Sequence, residues 1–187
     1  MKMEDFLMNL PSFETPRLIL RKVELSDLDD IYAFSSDPEV AHHMTWSVNQ
    51  SKEETYRNYV EPVLRDYQTG ESGDWVIVHM EDEKVIGACS FVKWENSHEK
   101  AEIGFVLHKD YWGQGIATEA VREIVRFGFE TCRLHRIEGK CNSDNIGSEK
   151  VLRKAGFTYE GTLRENELIK GKFCDTKMFS MLKNEFI

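Results

Sequence analysis

Ala101-Glu102-Ile103-Gly104-Phe105-Val106-Leu107, and then Tyr111-Trp112-Gly113-Gln114-Gly115-Ile116-Ala117-Thr118-Glu119-Ala120, is the stretch that decides how this chain reads. Its first part has the pattern of a strand. Its second part turns on two glycines and opens into a helix, where Ala120, Val121, Ile124, Val125 and Phe129 recur at three- and four-residue intervals. Gly113 and Gly115, with small Ala117 behind them, let a backbone turn approach a ligand closely, and the free amides of a helix N-terminus make an anion site that a pyrophosphate would fit. A plain tight turn has the same Gly-x-Gly pattern. Two other phosphate motifs are missing: no GxxxxGK[ST] occurs, and no third glycine completes GxGxxG after Gly115, which disfavours ATP hydrolysis and NAD binding.

Upstream of this stretch, residues 17–23 alternate as a strand. Ser26 with Asp29 has the form of an N-cap for a helix over Leu28, Ile31 and Tyr32 that ends near Asp37-Pro38. Ser51 and Glu54 cap a second helical pattern, which Pro62 should break or kink. Residues 75–78 and 85–92 form a hairpin, with 101–107 as the next strand. Downstream, residues 136–141 are a strand, 148–155 a helix closed by Gly156, and 158–168 with 172–182 a hairpin across Lys170-Gly171. The order β-α-α-β-β-β-α-β-α-β-β is that of an α/β (α+β) domain with a mixed, mainly antiparallel sheet flanked by helices.

The composition agrees with one soluble domain over residues 1–187. The chain has 24 Lys+Arg against 33 Asp+Glu, a net charge of −9, and 41% hydrophobic residues. A chain of this length buries roughly 70% of its unfolded surface, so neither disulfides nor a metal are needed for stability. The acidic balance repels phosphate backbones and favours amines or basic peptides over nucleic acid. Cys89, Cys132, Cys141 and Cys174 form no CxxC pair and read as reduced core residues, and the adjacent His42 and His43 lack metal-ligand spacing, so no metal is assigned. No run of about 18 apolar residues occurs, and the start of the chain is acidic, which leads to the expectation of a cytoplasmic protein without a membrane partner.

A second informative stretch runs from Asn142-Ser143-Asp144-Asn145 through Ser148 to Val151-Leu152 and Gly156-Phe157. Asn145 and Ser148 are three apart on one helical face and so can point at a common ligand. Ordinary N-capping by Asn142, Ser143 or Asn145 accounts for the same pattern.

Together, in this order and spacing, the two stretches resemble the GNAT acetyltransferase superfamily. With Glu14-Thr15-Pro16-Arg17-Leu18, Glu160-Gly161 and Asp175, the chain is most similar to its RimJ/RimL-type branch, the ribosomal-protein alanine N-acetyltransferases. The resemblance covers essentially the whole chain. It implies acetyl-CoA as cosubstrate, with the pyrophosphate held by Trp112, Gly113, Gln114, Gly115, Ile116, Ala117 and Thr118. The pantetheine arm would lie along Ile103, Phe105, Val106 and Leu107, in a cleft where this strand splays from residues 136–141, with Gly104 as a bulge point. Asn142, Asn145 and Ser148 would contact the pantetheine end and sulfur region. Two departures stand out: Trp112 replaces a common Gln or Arg, and Leu152 stands where many members have a tyrosine general acid.

By the same resemblance Glu102 matches a general base acting through water, although a solvent-facing strand residue reads the same way. A backbone amide at Phe105 or Val106 would polarise the thioester, and Ser148 would donate to the sulfur. The acceptor is a primary amine, first a protein or peptide α-amine such as that of a ribosomal protein. The reason is that an α-amine with a pKa of about 7.7 to 8.0 is partly neutral at pH 7, whereas a lysine near 10.4 is not. The alternatives are a small-molecule amine (a polyamine or an antibiotic) and a catalytically silent CoA-sensing module. Trp46, Tyr56, Trp94 and His98 are candidates to line the acceptor pocket, and a homodimer is common in the family.

Overall fold

In a computed structural model of the chain, which describes residues 2–186, the β-strands form one eight-stranded sheet. In chain order the strands are β1 (Phe13–Glu14), β2 (Leu18–Arg21), β3 (Gly73–His79), β4 (Lys84–Glu95), β5 (Lys100–Leu107), β6 (Arg136–Asn142), β7 (Thr158–Ile169) and β8 (Lys172–Leu182). The spatial order is β1-β2-β3-β4-β5-β6-β8-β7. Every pairing is antiparallel except that of β5 with β6. A parallel pair needs a long crossover, and the helix α6 (Ile116–Glu130) supplies it. The expected mixed, mainly antiparallel sheet flanked by helices is therefore the architecture observed.

Pleat alternation gives the sheet two faces with different covers. Trp75 of β3 and Phe91 of β4 point to one face, where Trp75 meets Phe127 edge-on and Phe91 lies under Gly128 of α6. The helix α7 (Ile146–Ala155) covers the same face, with Leu152 fully buried against Gly139. Asp74 and Ser90 alternate with those aromatics and face the other side. There α2 (Leu28–Ser35), with the short α3 (Pro38–Ala41) against it, and the segment α4 (Lys52–Thr55), π-turn (Tyr56–Val60), α5 (Glu61–Asp66) pack.

Several local features differ in detail from the sequence pattern. Ser51 caps α4 as expected, its hydroxyl accepting from Glu54 N–H at 3.2 Å. Ser26 caps nothing: it lies inside a 3₁₀ turn (Leu25–Asp27), and buried Asp27 accepts from Glu24 N–H while pairing with Arg21 at 2.8 Å. The π-turn ends as α5 begins around Pro62, which has no N–H to give and crowds the preceding turn, so the wider coil relieves the clash. Two elements lack a sequence signal, the short α1 (Met3–Met8) and β1. Glu4 of α1 accepts from the Trp94 indole and from Asn96, which pins this helix against the β4–β5 turn.

Gly104 is not the bulge. The register slips between Phe91 and Lys93, so Val92 of β4 is the extra residue, and Gly104 pairs regularly with Ser90. A Cβ on Gly104 would come within 2.8 Å of Val92 Cγ1, so the glycine is there to admit the bulged valine. Cys89 and Cys141 are buried and Cys132 and Cys174 partly so, all four as free thiols.

Candidate active site

The parallel ladder between β5 and β6 runs only from Lys100↔Arg136 to Ile103↔Gly139, after which the two strands part. Both strands continue, held from behind by β4 and β8 respectively. The alternation of an antiparallel ladder then fixes which backbone groups face the gap. His108 N–H donates to Ile86 carbonyl at 2.7 Å, so counting back, Val106 and Gly104 spend their polar groups on β4. Phe105 and Leu107 turn theirs into the gap, and Leu107 carbonyl accepts there from the Trp112 indole at 2.8 Å. Between the two amides the sequence left open, only that of Phe105 faces the cleft. On the opposite wall, Lys183 N–H on His135 carbonyl and Ser143 N–H on Asp175 carbonyl set the same alternation, so Lys140 and Asn142 face inward.

Beyond the end of β5, the loop from a 3₁₀ turn (Lys109–Tyr111) to α6 is tied down from several sides. Lys109 pairs with Asp37 and Glu39, both at 2.9 Å, and the Tyr111 hydroxyl donates to Asp82. Burial combined with the Asp82 carboxylate pushes the Tyr111 phenol up to about 12, the Asp82 hydrogen bond being the larger cause. Arg17 donates to Glu119 from Nε at 2.8 Å, with Nη2 in ion-pair contact at 2.7 Å, and to Gln114 carbonyl from Nη1 at 3.0 Å. Glu119 also accepts from Thr15 Oγ1 and Arg17 N–H. Burial alone would raise the Glu119 carboxyl, but these donors outweigh it and hold it below the usual range.

This scaffold holds Gly113 at φ 76° and Gly115 at φ 78°, in the left-handed region. Nothing lies within 4 Å of where a Gly113 side chain would be, and α6 has no side-chain cap. Ile116, Ala117 and Thr118 are buried, so what they offer outward is their first-turn N–H groups. An open concavity of unbonded amides at the positive end of a 15-residue helix fits a pyrophosphate. Gln114 turns its side chain away, to Asp110 carbonyl.

At the other lip of the gap, Asn145 caps α7, its Oδ1 accepting from Ser148 N–H at 3.0 Å, and its amide N–H₂ has no partner among the described residues. Ser148 hydroxyl has no hydrogen-bond partner among the described residues. Asn142 Oδ1 accepts from Asp144 N–H. Leu152 is sealed in the core and can donate no proton. Glu102 lies on the face opposite α6, where its carboxylate meets Lys140 Nζ at 2.6 Å.

On that face a cavity of about 520 Å³ opens against Val106, walled by Trp46, Asn49, Glu54, Arg57 and Tyr59. Tyr59 donates to Asp74, and burial raises its phenol far above the ordinary value. Arg57 has no charged partner among the described residues, whereas Glu54 accepts from Gln50 N–H. Of the four aromatic candidates for this pocket, Trp46 lines it and Tyr56 packs against the core instead. Trp94 and His98 are at the far end of β4 and β5, where Trp94 borders a separate cavity of about 470 Å³ with Met3, Phe6, Cys132 and Arg133. Alternation along a strand tells which face a residue takes but not which end of the sheet carries the site. Arg57 and Lys140 carried no functional signal in the sequence, and Arg17 and Glu119 entered it only as members of the matching stretches, with no role of their own.

A family model described as an acetyltransferase (GNAT) domain matches residues 17–158. The chain is 37% identical over 172 residues to an uncharacterized N-acetyltransferase, p20, of Bacillus licheniformis, covering 92% of this chain and 96% of that one. It is 27% identical over 139 residues to a ribosomal-protein-serine acetyltransferase of Escherichia coli, covering 74% and 76%. A spermidine N(1)-acetyltransferase of the same organism is 24% identical over 170 residues, covering 90% and 87%. Among solved structures, a GNAT-family acetyltransferase from Bacillus anthracis superposes with a TM-score of 0.82 at 25% identity, covering 93% of this chain and 99% of that one.

Proposed function

The chain belongs to the GNAT acetyltransferase family and is an acetyl-CoA-dependent N-acetyltransferase, and from that premise we propose that it acetylates the N-terminal α-amine of a protein or peptide. Acetyl-CoA supplies the thioester whose acetyl group is transferred. The amides of Gly113 to Thr118 hold the pyrophosphate, and the inward-facing backbone groups of Phe105, Leu107 and Lys140 align the pantetheine, with Asn142 and Asn145 at its far end. Phe105 N–H, already aimed into the gap and unable to pair with β4, donates to the thioester oxygen as negative charge develops there. Glu102, on the acceptor face, takes the proton from the attacking amine. Ser148 hydroxyl donates towards the departing sulfur. With a thiol pKa of about 8.5, that sulfur leaves tolerably without the missing tyrosine.

The single observation that carries the assignment is the parting of β5 from β6 immediately beside a cavity floored by Val106. The charges on that side favour one amine on a largely neutral chain. Arg57 on the cavity wall, without a charged partner among the described residues, would repel a polycation. The relationship to the ribosomal-protein-serine enzyme points the same way. The spermidine-acetylating relative makes a polyamine the second reading, and Glu54 on the cavity wall is the group that favours it.

Calorimetric titration with acetyl-CoA, beside a Gly115→Trp variant, tests the cofactor site. Micromolar binding lost in the variant is expected, and no binding by folded wild-type protein refutes the reading. Thiol release with a panel of alanine- and serine-initiated peptides and spermidine then decides the acceptor, and a preference for spermidine overturns the peptide reading.

A further inference from the structure

Lys140 follows Gly139, the last residue of β6 that pairs with β5, so continuing the register would set it across the gap from Gly104. Its backbone faces the gap, and its ammonium reaches back over the acceptor face to the Glu102 carboxylate at 2.6 Å. The contact therefore spans the two walls at the level where they separate. Both side chains are shielded, at 29% and 18% exposure, so water screens the pair only partly.

We propose that Lys140 is a positioning residue for acetyl transfer, holding the Glu102 carboxylate directed over the mouth of the gap. The proposal rests on the reading of Glu102 as the base.

The other charges near Glu102 do not substitute for this one. Glu138, its neighbour on β6, is held by Arg136 Nε at 2.8 Å, and Arg136 also binds Glu160. Lys100 on β5 is held by Glu95 at 3.0 Å. Lys93, opposite on β4, is exposed and pairs with no carboxylate among the described residues. On the same face further along the sheet, Asp74 is bonded by Ser72, Ser90 and Tyr59, and the cavity wall carries Glu54 and Arg57. Lys140 is the only cation bonded to Glu102 itself among the described residues.

Without the ammonium, the carboxylate is no longer aimed at the incoming amine, and misplacing a reacting group lowers the rate of the chemical step. Lys140→Met should lower kcat by about tenfold while leaving acetyl-CoA affinity unchanged. Lys140→Arg should restore kcat. The assay is thiol release at saturating acetyl-CoA with an alanine-initiated peptide and, separately, with spermidine, and acetyl-CoA titration checks that each variant is folded and loaded. In a Glu102→Gln background Lys140→Met should cost nothing further, since no carboxylate remains to be positioned. A fall in kcat in Lys140→Met that Lys140→Arg reverses and that vanishes in Glu102→Gln supports the proposal. Wild-type kcat in a folded, acetyl-CoA-binding Lys140→Met overturns it, and so does a fall of the same size in the Glu102→Gln background. Wild-type kcat in Glu102→Gln removes the base reading and the proposal with it, an outcome distinct from the others because it is read with Lys140 unchanged.

Discussion

Replacing Arg17 by alanine should loosen the phosphate-binding loop from a distance of 97 residues along the chain. Two hydrogen bonds disappear, one to Glu119 and one to Gln114 carbonyl, together with the Nη2 ion-pair contact to Glu119. Glu119 keeps Thr15 Oγ1 and the residue-17 N–H, so its carboxylate is not stranded. Bonds to charged groups contribute about 1.5–3 kcal/mol each when shielded. Arg17 is 41% exposed, however, and exposed ion pairs contribute little, which reduces the net loss to about 1–2 kcal/mol. For a chain of this size that corresponds to a drop in melting temperature of about 2–8 °C. The functional effect should be larger than the drop in stability suggests. With Gln114 carbonyl released, the turn at Gly115 loses the contact that orients its amides, and a loss of about tenfold in acetyl-CoA affinity corresponds to about 1.4 kcal/mol. Urea denaturation and calorimetric titration measure the two effects separately. The pH dependence adds a check with a definite sign. Glu119 is depressed in the folded state, so its contribution is present above the unfolded pKa and fades as pH falls through the folded one, and Arg17→Ala should flatten that fall. Wild-type acetyl-CoA affinity in a folded Arg17→Ala protein would show that the loop orders itself without the clamp.

Three further outcomes can be checked. Gly139→Ala places a Cβ 2.6 Å from Leu152 Cδ2 and should cost about 1–3 kcal/mol by overpacking, read by denaturation and partly relieved by adding Leu152→Val. Glu160, lowered to about 2 by the Arg136 guanidinium and then Ser180, stabilises the fold above the ordinary carboxylate value of 4.5 and loses that contribution as pH falls towards 2. Glu160→Gln should flatten acid unfolding across that window, by less than about 1 kcal/mol because the carboxylate is 41% exposed. Arg57→Glu should raise spermidine kcat/KM relative to a peptide by about tenfold, the effect of about 1.4 kcal/mol from reversing a charge at the cavity wall.

What could be read from the sequence was what short segments determine by themselves. Two glycines ahead of a strongly amphipathic helix specify a positive-φ turn and a buried helix face wherever they occur, and Gly113, Gly115 and α6 have both. The alternation of residues 101–107 likewise gave β5 almost to the residue. Pairings between distant segments could not be read. Glu102 meets Lys140 only because a parallel crossover sets β6 in that register, and Glu119 meets Arg17 across 102 residues. Gly104 illustrates the middle case: the need for a glycine was visible, but its cause, the bulged Val92 on the next strand, was not. Asn145 takes the capping role the sequence allowed with its carbonyl oxygen, and its amide hydrogens have no partner among the described residues.

The short parallel ladder has a consequence for how the sheet comes apart. Strands β1 to β5 and strands β6, β8 and β7 are each sewn together by antiparallel neighbours, and between the two groups only four residue pairs carry the seam. Cooperative opening follows the weakest seam, so amides along β5 and β6 below Ile103 and Gly139 should exchange with solvent through a partial opening that leaves both groups intact. A ligand bridging the two walls above that seam acts as a staple. Saturating CoA should therefore slow exchange at Ala101, Ile103, Glu138 and Lys140 more than at the strands on either flank.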